Sequence, residues 1–135
     1  MRVYYEDTDA AGVVYHANYL RYAERARTEA LRDAGIPHAA LVQRFSLMFM
    51  VHRVEIDYVR PARLDDELVV ETEILDVAAA SVVLRQTVRG PNGACATVRI
   101  RLACVRTGGN KPARIPPEWR KVLAVMRGDS TRQGM

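Results

Sequence analysis

The sequence predicts an α+β fold in which an antiparallel sheet wraps around one long central helix. Three observations predict it: residues 17–34 carry apolar side chains at three- and four-residue steps, four later segments alternate with a period of two, and the breaks between those segments are short.

In residues 17–34 the recurring positions are Tyr19, Ala23, Ala26, Ala30 and Ala34, while Arg25, Arg32 and Asp33 lie elsewhere on the helix. The stripe is mostly alanine, and small side chains let a second layer approach the helix axis closely. Gly35 supplies a left-handed cap, and Pro37 blocks resumption of the helix.

The alternating segments follow. In 48–58, Met50, His52, Val54, Ile56 and Tyr58 share one face, and Arg53, Glu55 and Asp57 take the other. In 67–76, Leu68, Val70 and Ile74 oppose Glu71 and Glu73; in 82–89, Val82, Leu84 and Val88 oppose Arg85 and Arg89. In 96–104, Ala96, Val98, Ile100, Leu102 and Cys104 oppose Thr97, Arg99 and Arg101. Four strands with one apolar face each make an antiparallel sheet buried on one side. PARLDDE at 61–67, residues 77–80 and GPNG at 90–93 have turn-like composition or length. A further short strand is expected at Val3 to Tyr5, a loop at 108–116, and an amphipathic helix at 117–126 with Trp119, Val122 and Leu123 inward. The expected organisation is one domain, 1–127, and an unstructured tail, 128–135. An open sheet edge makes self-association expected.

Of the 135 residues, 49% are hydrophobic and 27% charged, so disordered and fibrous classes are excluded. No run approaches the roughly 18 consecutive apolar residues of a membrane span, and the start MRVYYEDTD has no hydrophobic signal core, so the expected compartment is the cytoplasm. Cys95 and Cys104 stand an odd number of positions apart in a strand, on opposite faces by alternation, and should remain free thiols. The net charge of +4 suits a polyanionic small molecule as well as a nucleic acid. The basic residues form no tight run and no pattern interleaved with aromatics, which disfavours nucleic-acid binding.

The segment that carries chemistry is VYYEDTDAAGVVYHANY, residues 3–19. It sets Glu6, Asp7 and Asp9 in a loop just before a helix, whose first backbone N–H groups have no partners within the helix. A carboxylate beside such donors suits acyl transfer from a thioester. It can attack the carbonyl carbon or take a proton from water, while the helix N-terminus steadies the oxyanion. A thiolate, with a pKa of roughly 8.5 for the free thiol, departs with little help from an acid. Asp7, His38 and His52 are read as structural, and no third hard ligand accompanies the aspartates, so no metal is expected.

VYYEDTDAAGVVYHANYLRYAERARTEAL, together with YVRPARLDDELVVETEI and KPARIP, resembles the YbgC-type, tol-pal-associated branch of acyl-CoA thioesterases. That branch lies in the 4-hydroxybenzoyl-CoA thioesterase family of the hotdog superfamily. The resemblance implies a hotdog fold, homodimers that often pair into homotetramers, and thioester hydrolysis of an acyl-CoA or acyl carrier protein without cofactor or metal. It places the catalytic aspartate on Asp9, a histidine whose backbone N–H faces the thioester carbonyl on His16, and an aromatic hydroxyl on Tyr5. Lys111 matches a base that contacts the nucleotide of CoA, and Arg114 shares its loop. The chain departs from the related branch at Ala78, Ala79 and Ala80, where a basic cluster for the CoA phosphates would stand. Two other readings are a non-catalytic partner in a cell-envelope assembly and a hotdog dehydratase or hydratase; the helix-centred His and carboxylate of the latter are missing.

Overall fold

The computed structural model describes residues 1–9, 12–14, 16–127 and 131–134, the side chains of residue 16 and of 131–134 excepted. Its elements run α1 (His16–Asp33), α2 (His38–Phe45), β1 (Leu47–Tyr58), β2 (Val69–Val77), β3 (Ser81–Gly90), β4 (Gly93–Arg106), α3 (Pro117–Met126) and β5 (Thr131–Gly134). The strands form one antiparallel sheet in the order β1-β4-β3-β2-β5, and α1 packs across β2, β3 and β4.

The helical stripe settles where its spacing places it. Tyr19, Ala23, Ala26 and Ala30 are buried, and Tyr22 and Leu31 join them. The alternating residues of β2, β3 and β4 meet that stripe from the sheet, with Leu68, Val70, Leu84, Val88, Val98 and Cys104 fully enclosed. The core has two parts. One gathers Ile36, Leu41, Leu47, Ile115, Trp119 and Leu123 where α2 and α3 close one end of the sheet. The other gathers Met1, Val3, Val14, Tyr19, Leu68 and Ala96 at the opposite end. Full burial of each Leu or Val in these clusters contributes about 1.5–3 kcal/mol.

Several expectations are corrected. Val3 to Tyr5 is no strand: Tyr5–Asp7 form a short 3-10 turn, with isolated bridges on either side, Arg2 to Glu67 and Thr8 to Val14. The turn wins because the Asp7 carboxylate accepts the Tyr4 N–H at 3.0 Å, a local bond that an extended chain would forgo. Pro37 does not block further helix; it caps α2 at an extended φ of −67° and ψ of 146°, a position that needs no N–H, and Ser46 ends α2 with a left-handed φ of 55°. Thr131–Gly134, placed by sequence in an unstructured tail, pair with β2, held by backbone ladder bonds that leave no mark in a polar sequence.

Three register shifts change the faces, at His52 in β1, Leu75 in β2 and Cys95 in β4. In β1, Val51 pairs with Leu102 and Arg53 with Arg101, so His52 is an extra residue. Phe49 and Val51 therefore share the inner face with Val54, Ile56 and Tyr58, and Met50 lies on the other face, contrary to simple alternation. In β4, Val88 pairs with Ala96 and Arg89 with Ala94, which makes Cys95 extra and admits its thiol to the buried cluster around Ala96. Cys95 and Cys104 are both free and buried, but they belong to different core clusters, not to opposite faces of a regular strand. Burial pushes both thiol pKa values up.

Candidate active site

Asp9 sits in a tight turn that ends just before α1. Its N–H donates to the Val13 carbonyl at 2.9 Å, its carbonyl accepts the Gly12 N–H at 3.0 Å, and its carboxylate Oδ1 accepts the Val13 N–H at 3.4 Å. Gly12 has φ +77°, a left-handed conformation that side-chain-bearing residues rarely take. The turn is pinned to the segment after β1: Val14 N–H donates to Ala62 O at 2.8 Å, and Leu64 N–H to Gly12 O at 3.1 Å. The buried Tyr19 hydroxyl accepts the Ala62 N–H at 3.0 Å, tying α1 to the same segment. Asn18, in the first turn of α1, donates from its amide to the Asp7 carbonyl at 3.0 Å. The acidic loop is thus held against the start of α1, where free N–H donors collect.

A cavity of about 250 Å³ opens beside this turn, lined by Val13, Val14, Tyr19, Tyr58, Val59, Arg60 and Pro61. Val13 both lines it and binds the Asp9 carboxylate through its N–H, so the carboxylate stands one residue from an apolar hollow. An apolar group in that hollow would put its polar end near Asp9.

The other expected site residues are distributed unevenly. Asp7 caps the 3-10 turn, in keeping with a structural role. His16 opens α1, and its side chain lies outside the described residues. Tyr5 lies in the 3-10 turn with 82% of its surface exposed, so no described residue covers its ring. Lys111 and Arg114 are exposed in the segment before α3; the Lys111 carbonyl accepts the Arg106 N–H, and Arg106 pairs with Leu47 at the start of β1. The Asp9 turn lies beyond the other end of that 12-residue strand. At about 3.3 Å per residue the two ends of β1 are roughly 35 Å apart. One subunit therefore does not bring Lys111 and Arg114 to Asp9. Ala78, Ala79 and Ala80 form the β2–β3 connection, with the Ala79 carbonyl accepting the Ile115 N–H. Among the described residues no group of three His, Cys, Asp or Glu side chains is placed to hold a metal ion, and no helix is long and apolar enough to cross a membrane.

A family model described as the thioesterase-like superfamily matches residues 3–123. The chain belongs to the thioesterase-like superfamily. Within it the chain is a thioester hydrolase of the YbgC group. The acyl-CoA thioesterase YbgC of Haemophilus influenzae is 44% identical over 118 residues, which cover 87% of each chain. The acyl-CoA thioester hydrolase YbgC of Escherichia coli O157:H7 is 42% identical over 117 residues, 86% of this chain and 87% of that one. A probable thioesterase from Bartonella henselae superposes with a TM-score of 0.80 at 36% identity, covering 86% of this chain and 95% of that one. The fold is the hotdog fold of these proteins.

Sequence reasoning missed three residues that shape this end of the thioesterase domain. Asn18 fixes the acidic loop to α1, the Tyr19 hydroxyl fixes α1 to the segment after β1, and Tyr22 lies near Asp7. The Tyr22 hydroxyl is buried and faces the Asp7 carboxylate without closing a hydrogen bond of normal geometry; burial first, then the Asp7 charge, push its pKa well above the ordinary tyrosine value. Tyr22 follows Tyr19 by three positions on the buried stripe, so its burial was legible from spacing, but its neighbour was not.

Proposed function

We propose that this protein hydrolyses the thioester of an acyl-CoA, with Asp9 as the catalytic carboxylate. The observation that carries the reading is the apolar cavity opening beside the Asp9–Val13 turn at the start of α1. The acyl chain occupies the hollow, and its carbonyl carbon reaches Asp9. The carboxylate either attacks that carbon or takes a proton from a water that attacks it. In either case the carbonyl oxygen becomes an oxyanion, the N–H groups at the start of α1, that of His16 among them, stabilise it, and the C–S bond breaks to release the CoA thiolate. In the first route the resulting mixed anhydride is hydrolysed by water. Initial rates with short, medium, long and aromatic acyl-CoAs, and with an acyl carrier protein thioester, test this reading. Turnover of none of them would sink it and favour the non-catalytic alternative.

The working unit is a homodimer, with a homotetramer as its further assembly, in the cytoplasm, where the two free thiols suit the reducing conditions. β1 is an open edge, and Val51, Val54 and Tyr58 on its inner face are 48%, 38% and 44% exposed. Antiparallel pairing of two such edges sets the start of one β1 beside the end of the other. Lys111 and Arg114 of the partner subunit then approach the Asp9 end, which a single subunit cannot arrange, and Tyr5 gains a covering surface. Light scattering at micromolar concentration is expected to give at least a dimer; a stable, active monomer would overturn this assembly.

If Lys111 holds the CoA phosphates, KM rises with ionic strength while kcat changes less. Lys111→Ala should raise KM in the same sense by several-fold. A KM indifferent to both changes removes Lys111 from the site.

A further inference from the structure

The outer face of the sheet, away from α1, carries a second groove that takes no part in the bond-breaking step at Asp9. It encloses about 320 Å³ and is lined by His52, Arg53, Glu55, Arg99 and Arg101, with Val83 in the lining as well. The strand register brings like charges together there: Arg53 stands directly opposite Arg101, and Arg99 stands between Arg85 on β3 and Glu55 on β1. Like charges in directly opposed positions destabilise a sheet. The nearby carboxylates relieve only part of this. Glu55 pairs with Arg53 at 3.0 Å and Glu73 with Arg85 at 2.9 Å, and Arg99 and Arg101 have no ion pair among the described residues. The extra residue at His52 builds the groove, because without it Arg53 would fall on the inner face rather than opposite Arg101.

An exposed strand face accepts serine, threonine or glutamate as readily as arginine, so solubility does not call for these four guanidiniums. Planar guanidinium forks match phosphate oxygens in pairs, and a bound anion would turn the repulsion between opposed arginines into attraction. We propose that this groove is a binding site for phosphate groups, supplied either by a free phosphate compound such as pyrophosphate or by the nucleotide end of CoA. The site stands on its own geometry and does not depend on Asp9.

The test uses the full-length oligomer, titrated calorimetrically with inorganic pyrophosphate and with adenosine 3′,5′-bisphosphate, beside an Arg99→Gln/Arg101→Gln variant. The parent should bind at least one probe, more weakly as salt is raised, and its melting temperature should climb with the ligand. The double variant should bind at least about 10-fold more weakly. Its melting temperature without ligand should not fall, because opposed like charges have been removed. Should the double variant be poorly folded, Arg101→Lys keeps the charge and loses the fork, and must weaken binding on its own. Asp9→Asn should bind as the parent does, which separates this site from the hydrolytic one. The two sources are then told apart by KM. A rise in KM for acyl-CoA in the double variant assigns the groove to the substrate nucleotide, and an unchanged KM with lost pyrophosphate binding assigns it to a free ligand. Equal binding by parent and folded variants, or no binding of either probe by the parent, overturns the proposal.

Discussion

Replacement of Asp9 by asparagine is expected to lower kcat by about 10²- to 10⁴-fold while KM changes much less. Asparagine retains a side-chain oxygen that can accept the Val13 N–H, so the turn that seats residue 9 should persist. What is lost is the negative charge, and with it both the nucleophile and the base. In the proposed mechanism other groups hold the CoA moiety, which is why the effect should fall on the chemical step. The melting temperature should be unchanged or slightly higher, since catalytic acids are often held at some cost to stability. The decisive measurement sets the rate with the best acyl-CoA beside the variant's melting temperature and light scattering. A folded Asp9→Asn oligomer that turns over thioesters at nearly the parent rate would remove Asp9 from the mechanism.

The residues that were legible in the sequence are those whose signal is local. The alanine stripe of α1 and the inner-face residues of β2, β3 and β4 are buried as their spacing predicts, but Glu71, Val83 and Thr87 on the opposite face are buried as well, so the sheet is not simply covered on one side as alternation alone implies. β1 was legible as a strand but not in its faces, because His52 leaves the alternation by register alone. α2 escaped because an eight-residue helix directly after a proline looks like a loop, whereas Pro37 occupies a capping position. At the site, Asp9 stood out through the EDTD motif, and its hold on Val13 follows from the glycine at 12. The separation of Lys111 and Arg114 from Asp9 depends on which ends of β1 and β4 meet, a long-range fact that no local pattern carries.

A buried arginine also went unread, and the glutamine that holds it carries a large stability effect. Arg27 lies on the inner side of α1 with only 9% of its surface exposed, and it has no ion pair among the described residues. Its Nη1 donates to Gln86 Oε1 at 3.0 Å, and Gln86 Nε2 donates to the Ala23 carbonyl at 2.7 Å and to Thr72 Oγ1 at 3.1 Å. Burial pulls the arginine pKa below its ordinary value, Glu24 on the same helix offsets part of that, and the guanidinium remains charged. Gln86 is wholly buried and is thus the polar link between the helix and β2 and β3. Gln86→Leu keeps the volume but takes the acceptor from a buried cation and the donor from the Ala23 carbonyl. The expected loss is about 3 kcal/mol, with a melting temperature lower by roughly 10 °C. Arg27→Met strands only the neutral amide oxygen and should cost about 1–2 kcal/mol. The double variant Arg27→Met/Gln86→Leu removes both partners, so it should lose clearly less than the two single losses added together. Urea unfolding of the four proteins at one fixed concentration measures all three numbers. Strict additivity, or a Gln86→Leu variant within 0.5 kcal/mol of the parent on the scale of ordinary surface substitutions, would mean that water satisfies Arg27 and that this bond does not hold the helix to the sheet.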